Sequence, residues 1–399
     1  MKTALILPPT EASFDKVAGL PLLQRVVLSV LRSDFDRIVV VGREHTAKVR
    51  ELLRSDARTR AVEVSEHFPL LEGDEVTIVR SDSFVTPATI QQIANVNLDG
   101  RALLFADAGG DQAARCRTAT WSALDRSDLD PKGTAAIFAA VRALDTEVVG
   151  LDGVLCLPVT DAHTARQAEL DFCERMRHDS KASDGPLAHW VDRRVSLRIS
   201  RWIVAHTGLR PNHITMIGTS IGLLAAALLA QGSYATGVAG TVLFLCATIL
   251  DGCDGEVARM KFLDSSFGQK FDVITDNIVH LAIFVGLALG LYRAQPDAPY
   301  LTLIAILLGG FAFDGVLTYF FLVKRPGFAT SGGTPATWKG KMRQRILAAL
   351  EAMMNRDFAY LLLVLAVVDR LHWFLWGAAF GTYGFGILLI LVYQWRDAR

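Results

Sequence analysis

The chain has 399 residues, and its 41 basic and 41 acidic side chains leave no formal net charge. This balance argues against nucleic acid as a partner. The composition changes along the chain: residues up to about 185 resemble a soluble segment, whereas long apolar runs follow residue 210 and raise the mean hydropathy to +0.31. The five cysteines show no CxxC spacing, which predicts free thiols with neither a disulfide framework nor a zinc site.

The first 185 residues alternate short apolar strands with amphipathic helices. This alternation predicts a parallel sheet with helices on both faces, in a Rossmann-like, doubly wound α/β domain. The apolar stretch at its start is too short for a signal peptide, so we expect this domain in the cytosol. The predicted strands are Thr3–Leu7, Arg37–Gly42, Val76–Val79, Ala102–Ala106 and Val154–Pro158, and the predicted helices are Leu20–Leu31, Ala47–Leu53, Pro87–Ala94 and Thr134–Leu144.

Residues 186–210 are predicted to form an amphipathic helix and a linker. Between Leu187 and His206, apolar residues that include Trp190 and Trp202 alternate with arginines. A basic amphipathic helix with tryptophans is typical of a membrane interface. The alternative is a helix that packs on the first domain.

Residues 211–399 contain six apolar segments, which predict an all-α domain of six transmembrane helices. The fifth segment is short for a bilayer, and a start near Ile346 would lengthen it. The predicted spans are Ile214–Ala230, Ala235–Met260, Phe271–Leu291, Leu301–Val323, Asp357–Leu371 and Trp373–Tyr393.

Basic residues lie mainly in alternate loops. They cluster between spans two and three, between spans four and five, and after span six, whereas the opposite loops hold only Arg293 and Arg370. The positive-inside rule therefore places the basic loops and both termini in the cytosol. This pattern predicts a multi-pass protein of the inner, or plasma, membrane, in contact with its lipids and with its first domain on the cytosolic side.

Four carboxylates lie within the second and third spans: Asp251, Asp254, Asp272 and Asp276. The first two are spaced i, i+3 and the last two i, i+4, so each pair projects from one face of its helix. The two helices are consecutive and joined by a short loop, so the pairs lie near the same cytosolic end. Because four acids this close would repel one another, divalent cations such as Mg²⁺, Mn²⁺ or Ca²⁺ are expected between them, and two such ions suit a diphosphate.

Two other interpretations of these acids remain. They would hold the spans together if they paired with basic residues, but only Arg259 and Lys270 are near in sequence. They would carry ions or protons if the protein were a secondary transporter. A transporter leaves the small residues beside the acids, Gly255, Ala258 and Gly268, without an explanation.

The acids belong to a longer motif with a known resemblance. The segment Asp251-Gly-Cys-Asp-Gly-Glu-Val-Ala-Arg259, eight residues, Gly268, three residues, Asp272, three residues and Asp276 resembles the signature of the CDP-alcohol phosphotransferase, or phosphatidyltransferase, family. The resemblance extends over Leu187–Arg399 and includes Pro211-Asn-His-Ile-Thr215. It implies an enzyme that transfers a substituted phosphate from a CDP-alcohol to a hydroxyl acceptor and releases CMP, in phospholipid or polyol-phosphodiester synthesis.

The resemblance also implies roles for individual residues and a homodimer. Asp276 would be the general base, and two Mg²⁺ or Mn²⁺ ions would be held by Asp251, Asp254, Asp272 and Asp276. The CDP group would contact Asn212, Thr215, Asp254, Gly255, Ala258, Arg259, Ser265 and Gly268. No role is assigned to Asp314, in span four.

A basic segment lies at the cytosolic mouth of the predicted bundle. Its Lys339, Lys341 and Arg343 are candidates for holding the phosphate of a phosphorylated acceptor. The alternative is a loop that is basic only because it faces the cytosol and anionic lipid.

The first domain resembles sugar-phosphate nucleotidyltransferases in Lys16–Arg25, Arg37–Gly42 and Val76–Asp82, and Asp82 matches their metal-binding aspartate. The loop Pro8–Asp15, however, has two acids and neither the glycines nor the arginine that bind nucleotide phosphates in that family. We expect the fold to be retained and the catalysis to be lost; an active domain is the alternative, and a domain that mainly scaffolds a partner is a further one. A similar fusion occurs in enzymes that make CDP-inositol with one domain and use it with the other, which suggests inositol or another polyol phosphate as a substrate.

Overall fold

The computed structural model describes residues 1–71, 73–107, 110–123, 133–151, 155–180, 185, 187–318 and 357–394. The chain folds as two compact units, Met1–Met176 and Arg177–Arg399. The first unit is an α/β domain and the second is helical, as the sequence predicts.

The first unit is built on a seven-stranded sheet. Its spatial order is β10-β8-β9-β6-β1-β4-β5. The strands are β1 (Lys2–Ile6), β4 (Arg37–Val41), β5 (Glu63–Ser65), β6 (Glu75–Val79), β8 (Ala102–Asp107), β9 (Gly110–Arg117) and β10 (Thr146–Gly150), and two short strands, β2 (Lys16–Val17) and β3 (Leu20–Pro21), form a separate hairpin.

The prediction of an entirely parallel sheet was wrong at β9. This strand is antiparallel to both β6 and β8, while the other pairs in the sheet are parallel. Strand β8 ends at Asp107 and β9 begins at Gly110, a connection far too short for the crossover that parallel strands need. The chain therefore returns as a hairpin inside an otherwise parallel sheet.

The predicted strand Val154–Pro158 also differs from the structure. Residues 152–154 lie outside the described part of the chain, and β11 (Cys156–Pro158) pairs with β7 (Ser83–Val85) in a separate two-stranded antiparallel sheet. It is therefore not a strand of the main sheet.

Helices cover both faces of the sheet. In β1, Ala4 and Ile6 pack with the helices Leu22–Leu31 and Pro87–Asn95, while Leu5 packs with residues of the helices Thr118–Ala123 and Gly133–Arg142. This alternation shows why the central strand is apolar throughout. The helices of this unit are α1 (Leu22–Leu31), α2 (Thr46–Arg54), α3 (Pro87–Asn95), α4 (Thr118–Ala123), α5 (Gly133–Arg142) and α6 (Ala162–Asp179), of which α4 and α6 were not predicted.

A buried arginine stabilises the segment that follows β1. Arg25 is 1% exposed and donates hydrogen bonds to the carbonyl oxygens of Val17 and Ala18, at 3.2 and 3.0 Å. Its guanidinium lies over the Phe84 ring, 4.8 Å from the centroid. Burial lowers the pKa of Arg25 to about 9. Arg25, the arginine of the segment Lys16–Arg25, therefore has a structural role inside the first unit.

The second unit begins with a helix that is joined to its neighbours by buried polar contacts. A π-helical turn, Ala188–Asp192, leads into α7 (Arg193–His206). Ser196 and Ser200 donate hydrogen bonds of 2.6 and 2.7 Å to Glu256, which is 1% exposed. The predicted helix is therefore present, and its polar side packs on the second predicted span.

The remaining helices of the second unit include three that are long and apolar enough to cross a membrane, among the residues that the structure describes: α8 (Pro211–Leu229), α9 (Tyr234–Lys261) and α10 (Ser266–Ala294). They are followed by α11 (Tyr300–Thr318), α12 (Phe358–Val367) and α13 (Leu371–Gln394). The count of six spans is not confirmed. The end of the fourth predicted span, and the earlier start of the fifth near Ile346, lie outside the described residues.

Glycines allow α8 and α10 to pack with their backbones close together. A Cβ atom at Gly286 would overlap the Ala226 carbonyl oxygen, and one at Gly290 would overlap the Leu229 carbonyl oxygen. Small residues at a helix contact permit such close approach inside a membrane. These contacts set the spacing of the helices that bear the predicted site.

We expect Gly290→Ala to lower the stability of the detergent-solubilised protein. Its methyl group would force α8 and α10 apart, at a cost of about 1–3 kcal/mol. Thermal unfolding measures the effect, and Gly377→Ala on α13 is the matched control because a Cβ atom there meets nothing within 4 Å. An unchanged midpoint for Gly290→Ala would contradict the packing.

Candidate active site

A tight reversal between α9 and α10 brings the predicted site residues together. Phe262 ends α9 in a left-handed conformation with φ of 56°. Ser265 then caps α10, and its hydroxyl accepts a 3.0 Å hydrogen bond from the Gly268 amide. The two helices therefore run antiparallel, with their carboxylates near the same end.

Three of the four predicted carboxylates form one cluster. Oxygen atoms of Asp251, Asp272 and Asp276 all lie within 4.8 Å of one another. Carboxylate oxygens are the ligands that Mg²⁺ and Mn²⁺ prefer, so the donor set fits a divalent cation.

Asp254 has a different position from the other three acids. It is 6% exposed, and its carboxylate accepts a hydrogen bond from the Thr215 hydroxyl of α8. The cluster of three does not include it. Asp254 thus ties α9 to α8, in addition to the ligand role expected of it.

A cavity of about 110 Å³, here called the nucleotide cavity, opens beside Asp272. Its lining also includes Pro211 and Gln269. It contains all eight residues that the resemblance assigns to CDP binding: Asn212, Thr215, Asp254, Gly255, Ala258, Arg259, Ser265 and Gly268. Although they come from three helices and a loop, the fold brings them to one place.

The electrostatics of the nucleotide cavity favour a phosphate group. The helices α8 and α10 both begin at this cavity, and the N-terminal ends of helices attract anions. Arg259 adds a guanidinium, which lies against Gly255: a Cβ atom there would be 3.3 Å from Arg259 Nη1. The absence of that Cβ leaves the guanidinium room beside the backbone.

Other predicted residues lie elsewhere. The candidate acceptor-phosphate residues Lys339, Lys341 and Arg343 fall outside the described part of the chain. Asp82, in the first domain, accepts two hydrogen bonds from Arg80, at 2.8 and 3.0 Å, and does not belong to the three-carboxylate cluster. Asp82 thus has an ion-pair partner within the first unit.

The sequence interpretation missed residues on the opposite side of the carboxylates. Thr219, Thr248 and His280 line a second cavity with Asp251 and Asp276. The sequence could have indicated His280, because it follows Asp276 by four residues and therefore lies on the same helix face. The two threonines carry no comparable signal, since threonine is common in apolar helices.

Residues 209–383 match the family model described as CDP-alcohol phosphatidyltransferase. The match spans the carboxylate cluster and the entire nucleotide cavity. Residues 209–383 form a CDP-alcohol phosphatidyltransferase domain. The resemblance inferred from the motif is thereby confirmed for this domain.

Curated relatives share part of the chain. It is 35% identical over 144 residues to a bifunctional IPC transferase and DIPP synthase of Rubrobacter xylanophilus, covering 36% of this chain and 32% of the relative. A protein of the same name from Aquifex aeolicus is 32% identical over 117 residues, which cover 29% of this chain and 26% of the relative. The chain thus spans about a third or less of the length of these relatives.

Solved structures are more distant. The phosphatidylinositol phosphate synthase of Mycobacterium tuberculosis with CDP-DAG bound is 21% identical and aligns with 50% of this chain and 93% of its own, at a TM-score of 0.33. At this TM-score the alignment adds nothing to the description of the CDP-alcohol phosphatidyltransferase domain.

We expect Asp272→Asn to weaken Mn²⁺ binding and Asp82→Asn to leave it unchanged. Loss of a carboxylate from the cluster should cost about 10-fold or more in affinity, since even outer-sphere changes cost that much. Electron paramagnetic resonance of free Mn²⁺, titrated with purified full-length protein, measures both variants. Equal loss in the two would place the metal site elsewhere.

Arg259→Gln should weaken CDP binding by about 10- to 100-fold, because a charge-assisted hydrogen bond contributes about 1.5–3 kcal/mol. Calorimetric titration with CDP measures this change. Lys261→Gln is the control: it removes a cation from the same helix end, but Lys261 contacts the Thr207 and Leu209 carbonyls, at 3.3 and 3.4 Å. If the two variants lost affinity equally, net charge rather than the Arg259 position would be responsible.

Proposed function

We propose that the chain is an integral membrane CDP-alcohol phosphotransferase that transfers a substituted phosphate from a CDP-alcohol to a hydroxyl acceptor and releases CMP. The observation that carries this proposal is the adjacency of a phosphate-favouring cavity and three clustered carboxylates within one set of apolar helices. The family match over the same residues supports it.

The metal site would hold two divalent cations, Mg²⁺ or Mn²⁺, on Asp251, Asp272 and Asp276, with Asp254 completing the set. Bound there, the cations would neutralise the diphosphate and stabilise CMP as the leaving group. The mutual distances of the three clustered carboxylates and their hard oxygen atoms support this assignment.

The protein's own residues would carry the rest of the reaction. Arg259 and the two helix N-termini would hold the diphosphate. The acceptor oxygen would form a bond to the β-phosphorus while the bond from that phosphorus to the bridging oxygen breaks. CMP would leave with the electron pair, and the hydroxyl proton would pass to Asp276 as general base. Positioning would supply much of the acceleration.

The relatives and the sequence suggest which substrates to test. The names of the relatives, IPC transferase and DIPP synthase, support an inositol-type acceptor or donor, so CDP-inositol and CDP-diacylglycerol are the donors to test first. A polyol or polyol phosphate would be the acceptor, with Lys339, Lys341 and Arg343 holding its phosphate. The product would belong to phospholipid or polyol-phosphodiester synthesis.

We further propose the setting of the enzyme. It would be a homodimer of the inner or plasma membrane with six spans, in contact with membrane lipids and with its active site facing the cytosol. Three apolar helices and the basic loops support this orientation. The first domain would keep a nucleotidyltransferase-like fold without catalysis, which the Arg80–Asp82 pair and the loop Pro8–Asp15 favour.

Purified, detergent-solubilised protein should release CMP from one of these donors when offered a panel of polyols and polyol phosphates with Mg²⁺ or Mn²⁺. EDTA should abolish the release. Asp276→Asn should lower turnover by about 10²- to 10⁴-fold, the contribution of a general base, while CDP binding persists. Undiminished turnover in that variant would refute the role of Asp276, and a wild-type protein that neither binds CDP nor releases CMP would refute the function.

A further inference from the structure

A second cavity lies on the far side of the carboxylate cluster from the nucleotide cavity; we call it the inner cavity. It has a volume of about 30 Å³, which holds about two water-sized groups. The described residues that line it are Thr215, Gly218, Thr219, Phe244, Ala247, Thr248, Asp251, Asp276, Val279 and His280.

The helix positions of the lining residues place the inner cavity deeper in the apolar helices. On α9 its residues run from Phe244 to Asp251, whereas those of the nucleotide cavity begin at Asp254 and follow toward the helix end. On α10 its residues begin at Asp276, whereas the nucleotide cavity ends at Asp272. On each helix the acid nearer the turn between α9 and α10 lines the nucleotide cavity and the deeper acid lines the inner cavity, so the two cavities meet at the carboxylates and at Thr215, which lines both.

The polar groups of the inner cavity are mainly hydrogen-bond acceptors. The single hydroxyl protons of Thr219 and Thr248 are donated to the carbonyl oxygens of Thr215 and Phe244, one helical turn earlier, at 2.8 and 3.0 Å. Only the lone pairs of these hydroxyls then remain for a ligand. Asp251 and Asp276 add carboxylate oxygens. The cavity therefore matches a ligand that brings O–H donors.

The inner cavity is unsuited to phosphate. Among the described residues that line it there is neither lysine nor arginine, and no helix begins there. The nucleotide cavity, in contrast, has Arg259 and two helix N-termini. His280 is held edge-on between the rings of Phe244 and Phe358, with centroids at 6.0 and 5.4 Å, and lines the inner cavity.

We propose that the inner cavity receives the uncharged, hydroxyl-bearing end of the acceptor alcohol, and that Thr219, Thr248 and His280 select it. This inference rests on the proposed function. In-line displacement puts the attacking oxygen opposite the leaving oxygen. With CMP leaving into the nucleotide cavity, the opposite side of the carboxylate cluster is the inner cavity, where Asp276 lies within reach of the hydroxyl.

The small volume of the inner cavity limits which part of the acceptor can enter it. A cavity with room for two water-sized groups admits a hydroxyl with its carbon but not an entire ring. The charged or bulky remainder of the acceptor would stay outside, so any acceptor phosphate is bound elsewhere. Thr219 and Thr248 are thus specificity-determining residues for the alcohol and not for the nucleotide.

The test uses the full-length protein and the acceptor of the panel, such as myo-inositol 1-phosphate or glycerol 3-phosphate, that releases the most CMP. Thr248→Val, of nearly the same shape, removes the acceptor lone pairs, and His280→Phe keeps the aromatic packing without the ring nitrogens. Ser220→Ala is the matched control: its hydroxyl also donates to the carbonyl four residues earlier, at 2.9 Å, but lies exposed on α8 outside the cavity.

We expect Thr248→Val and His280→Phe each to raise the KM for the acceptor by about 5-fold or more, the effect of one lost hydrogen bond, with the KM for the donor and the affinity for CDP unchanged. Ser220→Ala should match the wild type. An unchanged acceptor KM, or a rise in donor KM instead, overturns the proposal while leaving the phosphotransfer function standing. Failure of the wild-type protein to release CMP would instead overturn the function, and this inference with it.

Discussion

Charge inside an apolar helix bundle is the constraint on which the site depends. Three carboxylates with oxygens within 4.8 Å of one another, between helices that carry long apolar runs, are unfavourable unless cations, hydrogen bonds or water compensate for them. Groups near the carboxylate cluster compensate for part of the negative charge in this region. The Thr215 hydroxyl binds Asp254, two helices begin at the nucleotide cavity, and Arg259 lies beside Gly255.

The geometry of the cluster comes from contacts that are remote from it. Gly286 and Gly290 let α10 approach α8 closely, and the left-handed Phe262 turns the chain back so that α9 and α10 run antiparallel. On the other side of α9, Glu256 binds Ser196 and Ser200 of α7. The segment of the motif on α9 thus has two faces: Asp254, Gly255, Ala258 and Arg259 line the nucleotide cavity, and Glu256 faces a neighbouring helix.

The two cavities differ in polarity, and this difference distinguishes the side of the leaving group from the side of the nucleophile. The nucleotide cavity has helix N–H donors and the Arg259 cation beside its carboxylates, whereas the described lining of the inner cavity has carboxylates and the lone pairs of Thr219 and Thr248 but neither lysine nor arginine. An anionic leaving group and a neutral nucleophile have the complementary properties. The carboxylate cluster lies between the two cavities, where both the proton transfer and the phosphate transfer would take place.

The sequence alone placed the site residues on shared helix faces, because helix periodicity puts residues three or four apart on one face. It also located the apolar helices of the second unit that the structure describes, since long apolar runs strongly favour helices of this kind. Strand β9 depended on tertiary structure: its buried Gln112 and Arg115 obscure the apolar pattern, and their polar groups are satisfied by Ser83 and Glu75 from other parts of the chain. The hydrogen bond between Asp254 and Thr215, and the inner cavity, likewise arise only where α8 packs against α9 and α10, and such contacts between helices leave no periodic signal in a sequence.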